Sequence, residues 1–411
     1  MNRVVIVGAG QAGLSCAAKL RTEGFEGEIS LIGNEADAPY QRPPLSKAYL
    51  LGNLAADRLL LRPLGWYEEQ RVTLRTGVEV ASLDRAGKRV TLSTGDTLAY
   101  DALVFATGAE ARPLPDTLLR GRRGVHTIRD RADIEALRPE LDAASNVLVI
   151  GGGYIGLEIA AVTRGLGNEV DLVEAAPVIL GRVACRETAL SIAALHEARG
   201  VRLHIGQGVA SLSGQGRVTG AHLTDGTEIA ADVVIAGIGA APRTALADAA
   251  GLDISNGILV DACGRTSDPS IFAAGDCACY RLPDGDLRLE SVGNAIDTGE
   301  VVARSILENG AGYTPKPWFW SDQFDLKLQI AGRAQPDDQV VVREAPGEAK
   351  SHWYYREGAL VAIDALNAPR AYQVGRKLIL EGLSPSPEVI ADASRPIKDI
   401  FNATRAALPA I

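Results

Sequence analysis

The chain has 411 residues, 46% of them hydrophobic and 23% charged, with a net charge of −9 and a pI of about 5.3. That length allows roughly two to four domains with ample core, and that acidity argues against non-specific binding to nucleic acid or to an anionic membrane. Five scattered cysteines fit a reducing cytoplasm better than a disulfide framework, and no apolar run reaches the ~18 residues that suggest a membrane span.

In chain order, the β-branched run Val4–Val7 predicts a strand, and Gly8-Ala9-Gly10-Gln11-Ala12-Gly13 follows as G-x-G-x-x-G before an Ala-rich helical stretch. Arg3 and the apolar run superficially resemble a signal peptide. The glycines interrupt that run, so strand, turn and helix is the better reading. A second strand, Ile29–Ile32, leads to Glu35, and strands alternate with helical stretches as far as residues 100–108. The loop Arg112-Pro113-Leu114-Pro115 marks a boundary. The pattern then repeats: strand Val147–Ile150, glycine turn Gly151-Gly152-Gly153-Tyr154-Ile155-Gly156, strand Val170–Val173 and Glu174. This block ends near residues 233–239, and the chain passes Gly275-Asp276 before the Pro315–Pro317 linker. The last region predicts antiparallel strands at Val340–Arg343, His352–Tyr355 and Leu360–Leu366, a turn at Arg356-Glu357-Gly358, and helices at Ala371–Leu380 and Ile397–Ala406.

Each glycine motif is a dinucleotide fingerprint, with an acid ~20 residues on that can bind a ribose hydroxyl. Its first glycine makes the tight turn, its second lets backbone approach a pyrophosphate, and its third lets helix and strand pack closely. The pyrophosphate would sit on a helix N-terminus, where free N–H groups favour negative charge. Two complete copies imply two dinucleotides, and a flavin with a nicotinamide is the usual pair. Glu174 would accept from the adenosine 2′-hydroxyl and repel a 2′-phosphate, so NADH is expected over NADPH; Arg182 lies near in sequence as a second contact. Cys277-Ala278-Cys279 has C-x-C spacing and reads as small residues packed at a helix start. The first region holds only Cys16, inside the fingerprint helix. The five histidines have no ligand spacing, so no metal site is inferred, and no Ser/His/Asp arrangement stands out.

These motifs, with Tyr40-Gln41-Arg42-Pro43-Pro44-Leu45-Ser46-Lys47, Ala106-Thr107-Gly108, the run 151–158, Gly275-Asp276-Cys277 and Trp318-Phe319-Trp320-Ser321-Asp322-Gln323, span nearly the whole chain. The set resembles the putidaredoxin-reductase class of NADH:ferredoxin reductases, FAD flavoproteins of the glutathione-reductase superfamily. The resemblance implies an α/β fold of two Rossmann-like dinucleotide-binding domains plus a C-terminal α+β domain. The expected bounds are 1–112 and 247–316 for FAD, 113–246 for NAD and 317–411 for the last domain. It places FAD on Gly8, Gly10, Ala12, Gly13, Glu35, Arg42, Lys47, Arg129, Asp276 and Val292, and the nicotinamide dinucleotide on Gly151, Gly153, Gly156 and Glu174. Val80, Thr107, Gly108, Ile155, Arg182 and Gly239 complete the expected cofactor-binding set. The family often has Pro where Gly293 follows Val292 here. Lys47 and Glu158 are expected to pair beside the flavin N5, Tyr154 to cover the flavin face until nicotinamide displaces it, and Trp320 to lie against the flavin edge on the docking side.

With no cysteine pair to take electrons, the implied activity is hydride transfer from NADH to FAD, then single-electron transfer to a small acidic 2Fe-2S ferredoxin that feeds a terminal oxygenase. A haem-thiolate monooxygenase system is the leading expectation. A Rieske-type aromatic-ring dioxygenase system is the alternative within that class, and an NADH-sensing flavoprotein like the apoptosis-inducing factors is the alternative outside it. The resemblance implies Arg62, Lys327, Arg376 and Lys398 as candidate docking cations, which would attract an acidic partner. The protein is expected in the cytoplasm, with no nucleic-acid or membrane partner.

Overall fold

The computed structural model describes residues 1–283, 285–308, 310, 312–344 and 350–407, so the last four residues of the expected C-terminal domain lie outside the described residues. The chain divides into two compact units. The first comprises Met1–Arg42, Ala55–Glu110 and Ala240–Pro315; the second comprises Pro43–Leu54, Ala111–Gly239 and Lys316–Ile411.

In the first unit a wholly parallel sheet runs in the order Ile271–Ala273, Ala102–Phe105, Arg3–Val7, Glu28–Ile32, Val72–Arg75. Its central strand is apolar throughout after Arg3 because both faces are covered. Alternation sends Val4 and Ile6 into one hydrophobic cluster and Val5 and Val7 into another. Helices Gln11–Thr22 and Val292–Ile306 pack beside the first cluster at small residues. A Cβ on Gly299 would lie 2.5 Å from the Ala12 carbonyl oxygen, so glycine there is what lets the two backbones approach. This unit also holds an antiparallel sheet of Val80–Asp84, Arg89–Leu92 and Thr97–Ala99 and a mixed sheet of Ile254–Ser255, Gly257–Val260, Ala278–Leu282 and Gly285–Leu287, whose two middle strands run parallel. Cys277 ends a short 3-10 turn and Cys279 lies in a strand opposite Leu259, so this pair enters a sheet and not a helix. The alternation of a buried strand, which small thiols satisfy as well as a helix start does, accounts for the difference.

The second unit holds a second parallel sheet, in the order Val201–Ile205, Glu169–Glu174, Asn146–Ile150, Val233–Ala236, Val125–Thr127. Helix Tyr154–Gly165 follows its central strand, and helix Arg186–Ala198 precedes Val201–Ile205. The C-terminal residues form a five-stranded antiparallel sheet: Trp318–Gln323, Leu326–Gly332, Ala359–Leu366, Lys350–Arg356, Gln339–Arg343. Helices Pro369–Leu380 and Ile397–Ala406 help cover a core of Trp353, Ile363, Leu378 and Ile400, each fully buried and each contributing ~1.5–3 kcal/mol if counted by apolar transfer alone. The three expected strands and both helices of this region are present, Ile397–Ala406 with the expected bounds and the others longer by one or two residues at an end. Glu357 and Gly358 both take positive φ at the expected turn, as a two-residue hairpin requires. The architecture is therefore mixed α/β, with the two parallel sheets that the glycine motifs demanded.

Candidate dinucleotide and charge-pair sites

The two glycine turns are built alike. Gly8 takes φ +120° and its missing Cβ would lie 2.0 Å from the Ala106 carbonyl oxygen; Gly151 takes φ +108° with the Gly237 carbonyl oxygen at 2.4 Å. The third glycines, Gly13 and Gly156, each press a helix onto the turn, with a Cβ position 2.0 Å from the carbonyl oxygen of Gly8 or Gly151. The middle glycines differ. A Cβ on Gly10 or Gly153 would meet nothing within 4 Å among the described residues. Each is the N-cap of its helix and, as glycine, makes no side-chain cap hydrogen bond to the N–H groups behind it. Open space before uncapped backbone donors is the cradle that a pyrophosphate fits. Ala12 is buried between Gly10 and the third glycine, and Ile155 is exposed one residue into the second helix.

Of the two expected ribose acids, Glu35 lies three residues past the strand next to its glycine turn and Glu174 is the last residue of its strand. Glu35 accepts from Tyr40 Oη and pairs with Arg42. Glu174 accepts from Gly152 N–H at 2.6 Å and Ala176 N–H at 2.7 Å, one per carboxylate oxygen. These bonds leave lone-pair sites for a ribose hydroxyl. Arg182 is exposed in the segment after Leu180, whose own N–H donates to the Gly152 carbonyl. Gly239 follows the strand Val233–Ala236 with φ +102°.

In the first unit the other expected flavin residues gather at the parallel sheet and its neighbours. Thr107 Oγ1 donates to the Arg243 carbonyl at 2.7 Å, and Gly108 O accepts from Arg243 N–H. Gly275, with φ +74°, donates its N–H to Thr298 Oγ1 at 2.9 Å and leaves half-buried Asp276 at the turn. Val292 is the first residue of a helix capped by Ser291 Oγ, which accepts from Asn294 N–H; Gly293 therefore needs no proline to start that helix. Val80 is a core residue opening its strand. In the second unit, half-buried Arg129 follows strand Val125–Thr127, and its N–H donates to Asp133 Oδ2.

A buried carboxylate with three side-chain partners lies in the second unit. Glu158, on the helix behind the second glycine turn, is only 4% exposed, so its carboxylate must be compensated. Lys47 Nζ is 2.6 Å from Oε2, Ser46 Oγ donates to the same oxygen at 2.6 Å, and Ser321 Oγ donates to Oε1 at 2.7 Å. The expected Lys47–Glu158 pair is thus present as a contact, and Ser46 and Ser321 complete it. Both serines were in the motif runs, but nothing in the sequence aims them at Glu158. Tyr154 starts the same helix and lies against Phe319, ring centroids 4.1 Å apart; burial lifts its phenol pKa. Trp320 stacks on Trp318 at 5.4 Å, and the Arg376 guanidinium stands over Trp318. Of the other expected docking cations, Arg62, Lys327 and Lys398 are exposed; Arg62 stands over Trp66, and Lys327 is 3.9 Å from Asp322.

Cysteine chemistry has little support in this geometry. Burial raises the thiol pKa of Cys16, Cys277 and Cys279, the reverse of what a thiolate nucleophile needs. Cys185, His352 and Asp364 do bring three possible metal ligands within 4.8 Å of one another. The Thr188 hydroxyl stands 2.6 Å from His352 Nδ1 and 2.8 Å from Asp364 Oδ2, so these two groups are already engaged in hydrogen bonds with a neutral side chain.

Comparison with known proteins gives concordant matches. The family model described as pyridine nucleotide-disulphide oxidoreductase matches residues 2–299, and that described as reductase C-terminal matches residues 318–401. A ferredoxin–NAD(P)(+) reductase of Sphingomonas sp. is 42% identical, covering 97% of each chain. The reductase in the crystal structure of the covalent putidaredoxin reductase–putidaredoxin complex superposes with a TM-score of 0.94 at 37% identity, covering 98% of this chain and 99% of that one. The ferredoxin reductase for the CYP199A2 system of Rhodopseudomonas palustris superposes at 0.93 with 39% identity, covering 97% and 99%. No helix among the described residues is long and apolar enough to cross a membrane.

Proposed function

The chain belongs to the pyridine nucleotide-disulphide oxidoreductase family, among its putidaredoxin-reductase-like ferredoxin–NAD(P) reductases, which makes it an FAD-dependent oxidoreductase, and from that premise we propose that it carries electrons from NADH to an acidic 2Fe-2S ferredoxin serving a haem-thiolate monooxygenase. The observation that carries this reading is the pair of matched glycine cradles, each open to a pyrophosphate at its middle glycine. Bound flavin supplies the conversion between a two-electron hydride donor and a one-electron acceptor.

The chain's own residues bind, orient and balance charge. Gly8, Gly10, Ala12 and Gly13 hold the flavin pyrophosphate, Glu35 with Arg42 holds its ribose, and Thr107, Gly108, Arg129, Asp276, Val80 and Val292 complete that cradle. Gly151, Gly153, Ile155, Gly156, Arg182 and Gly239 hold the nicotinamide dinucleotide, with Glu174 selecting against a 2′-phosphate. Lys47 offers positive charge where electrons arrive, and Glu158 fixes its direction. Tyr154 guards the nicotinamide position, and Trp320 stands on the electron-exit side. The proposed domain bounds are 1–112 with 247–316, 113–246, and 317–411. The cytoplasm suits both the free cysteines and a small soluble acceptor.

The test is NADH-driven reduction of a panel of purified ferredoxins under anaerobic conditions. Fastest reduction of a 2Fe-2S ferredoxin from a haem-thiolate system is expected. Fastest reduction of a Rieske-type ferredoxin would overturn the choice of terminal system, and failure with every ferredoxin would overturn the reading.

A further inference from the structure

The Lys47–Glu158 pair does not end at Ser321. Gln323 Nε2 is 3.1 Å from Ser321 Oγ, and Gln323 Oε1 is 2.9 Å from His196 Nε2. Ser321, Gln323 and His196 have no exposed surface, so a buried polar chain runs from helix Arg186–Ala198 through strand Trp318–Gln323 to Glu158. Its direction is fixed by valence. A carboxylate only accepts, so the Ser321 hydroxyl proton points at Glu158 Oε1. The Ser321 oxygen then accepts from the Gln323 amide, which turns Gln323 Oε1 towards His196. His196 must therefore carry its proton on Nε2. The bare Nδ1 that this tautomer leaves has no hydrogen-bond partner among the described residues, and burial holds the ring pKa down, which keeps it neutral. The Phe324 ring packs edge-on against the imidazole at 5.1 Å and limits its rotation.

We propose that Gln323 and His196 are positioning residues for the Lys47–Glu158 pair, a one-way chain of donors that holds Glu158 Oε1 so that Oε2 stays on Lys47 and Ser46. Ser321 alone cannot do this, because its hydroxyl could rotate to any nearby acceptor; with Gln323 on its lone pair, leaving Glu158 breaks two buried hydrogen bonds together. The inference rests on the proposed role of Lys47 and Glu158 in hydride transfer.

The experiment compares His196→Leu, His196→Gln, Gln323→Leu and Lys47→Met holoenzymes by two readouts. One is the rate of flavin reduction by NADH in stopped flow. The other, independent of turnover, is acetylation of Lys47 by N-hydroxysuccinimide acetate, read by mass spectrometry against exposed Lys88 in every protein that retains Lys47. Gln323→Leu and His196→Leu should slow flavin reduction by roughly tenfold, the scale of one lost hydrogen bond to a charged group, and speed Lys47 acetylation. His196→Gln keeps a donor at the Nε2 position and should restore both values. Melting temperatures separate misfolding from misorientation, and if Gln323→Leu does not fold the His196 pair decides. Unchanged Lys47 acetylation in the leucine variants, or equal impairment of His196→Gln and His196→Leu, overturns the proposal. If Lys47→Met reduces flavin at the normal rate, the reading of the charge pair fails first and takes the chain with it.

Discussion

Glu174 spends one carboxylate oxygen on each of two backbone N–H groups, which fixes its charge beside the second glycine turn. A 2′-phosphate brought there meets that charge, so NADH should be used in preference to NADPH, and Glu174→Ala should narrow the ratio of kcat/KM values by about one to two orders of magnitude, the scale of 1.4–3 kcal/mol in discrimination. Equal use of both nucleotides by the unmodified enzyme would refute this assignment. Glu158→Gln tests the neighbouring charge in another way. The amide keeps the shape but cannot neutralise Lys47, so flavin reduction should slow while ferredoxin reduction by pre-reduced enzyme is unaffected; stopped-flow traces of the two half-reactions resolve them. Glu158 and both ribose acids could be named from the sequence because each sits at a set distance from a glycine motif, whereas Lys47 was named through the family resemblance of the run 40–47. Ser46, Ser321, Gln323 and His196 were not assigned there, because Ser46 and Ser321 each meet Glu158, and His196 meets Gln323, across more than a hundred positions, and nothing local specifies those meetings.

Two elements show how backbone and burial support these sites. Helices Gln11–Thr22 and Val292–Ile306 touch where Gly299 leaves no room for a Cβ. Gly299→Ala should cost about 1–3 kcal/mol as overpacking and loosen the flavin by displacing the first glycine helix; a lower melting temperature with faster flavin release is the expected pair of results, and unchanged values would show that the helices yield freely. Helix Arg186–Ala198 is fastened to the C-terminal sheet at both ends, by His196 on Gln323 and by Thr188 on His352 and Asp364. Burial, helped by Lys350, lowers His352 from 6.5 to about 4, whereas burial, moderated by Tyr354 and Thr188, raises Asp364 from 3.8 to about 6. The signs oppose. The histidine's contribution is complete above pH 6.5 and is lost as pH falls towards 4; the aspartate's is complete below its unfolded pKa and is lost as pH rises through about 6. His352→Gln removes only the first, so its melting temperature relative to the unmodified protein should improve as pH falls from 6.5 towards 4. Parallel curves would contradict a buried neutral His352. The paired elements themselves were largely readable from alternation and turn residues. The hairpin of Trp318–Gln323 and Leu326–Gly332 was seen only as an aromatic cluster, because Phe324 makes its turn at φ +54° without the glycine or asparagine that usually marks one.

For the molecule as a whole, a net charge of −9 must still admit the proposed acidic ferredoxin, so on that proposal attraction has to come from local cations. Reversing Arg62, Lys327, Arg376 or Lys398 should slow ferredoxin association modestly and flatten its salt dependence, since each acts over a Debye length of ~8–10 Å, while ferricyanide reduction stays constant. Trp320→Ala should instead slow electron transfer with the salt dependence retained. If all four reversals leave the salt slope untouched, the docking face lies elsewhere. The order of motifs along the chain was legible because each fingerprint is local, whereas the packing of Pro43–Leu54 with residues 111–239 and 316–411 arises from long-range contacts that leave no mark on composition.

The central claim is that two dinucleotides exchange electrons here with no thiol relay. Anaerobic titration of the purified protein with NADH tests it most directly. One flavin per chain, bleached fully by one equivalent of NADH with no further uptake, is the expected end-point. Consumption of a second equivalent per chain, with new thiols appearing, would reveal a redox-active cysteine pair and contradict the account.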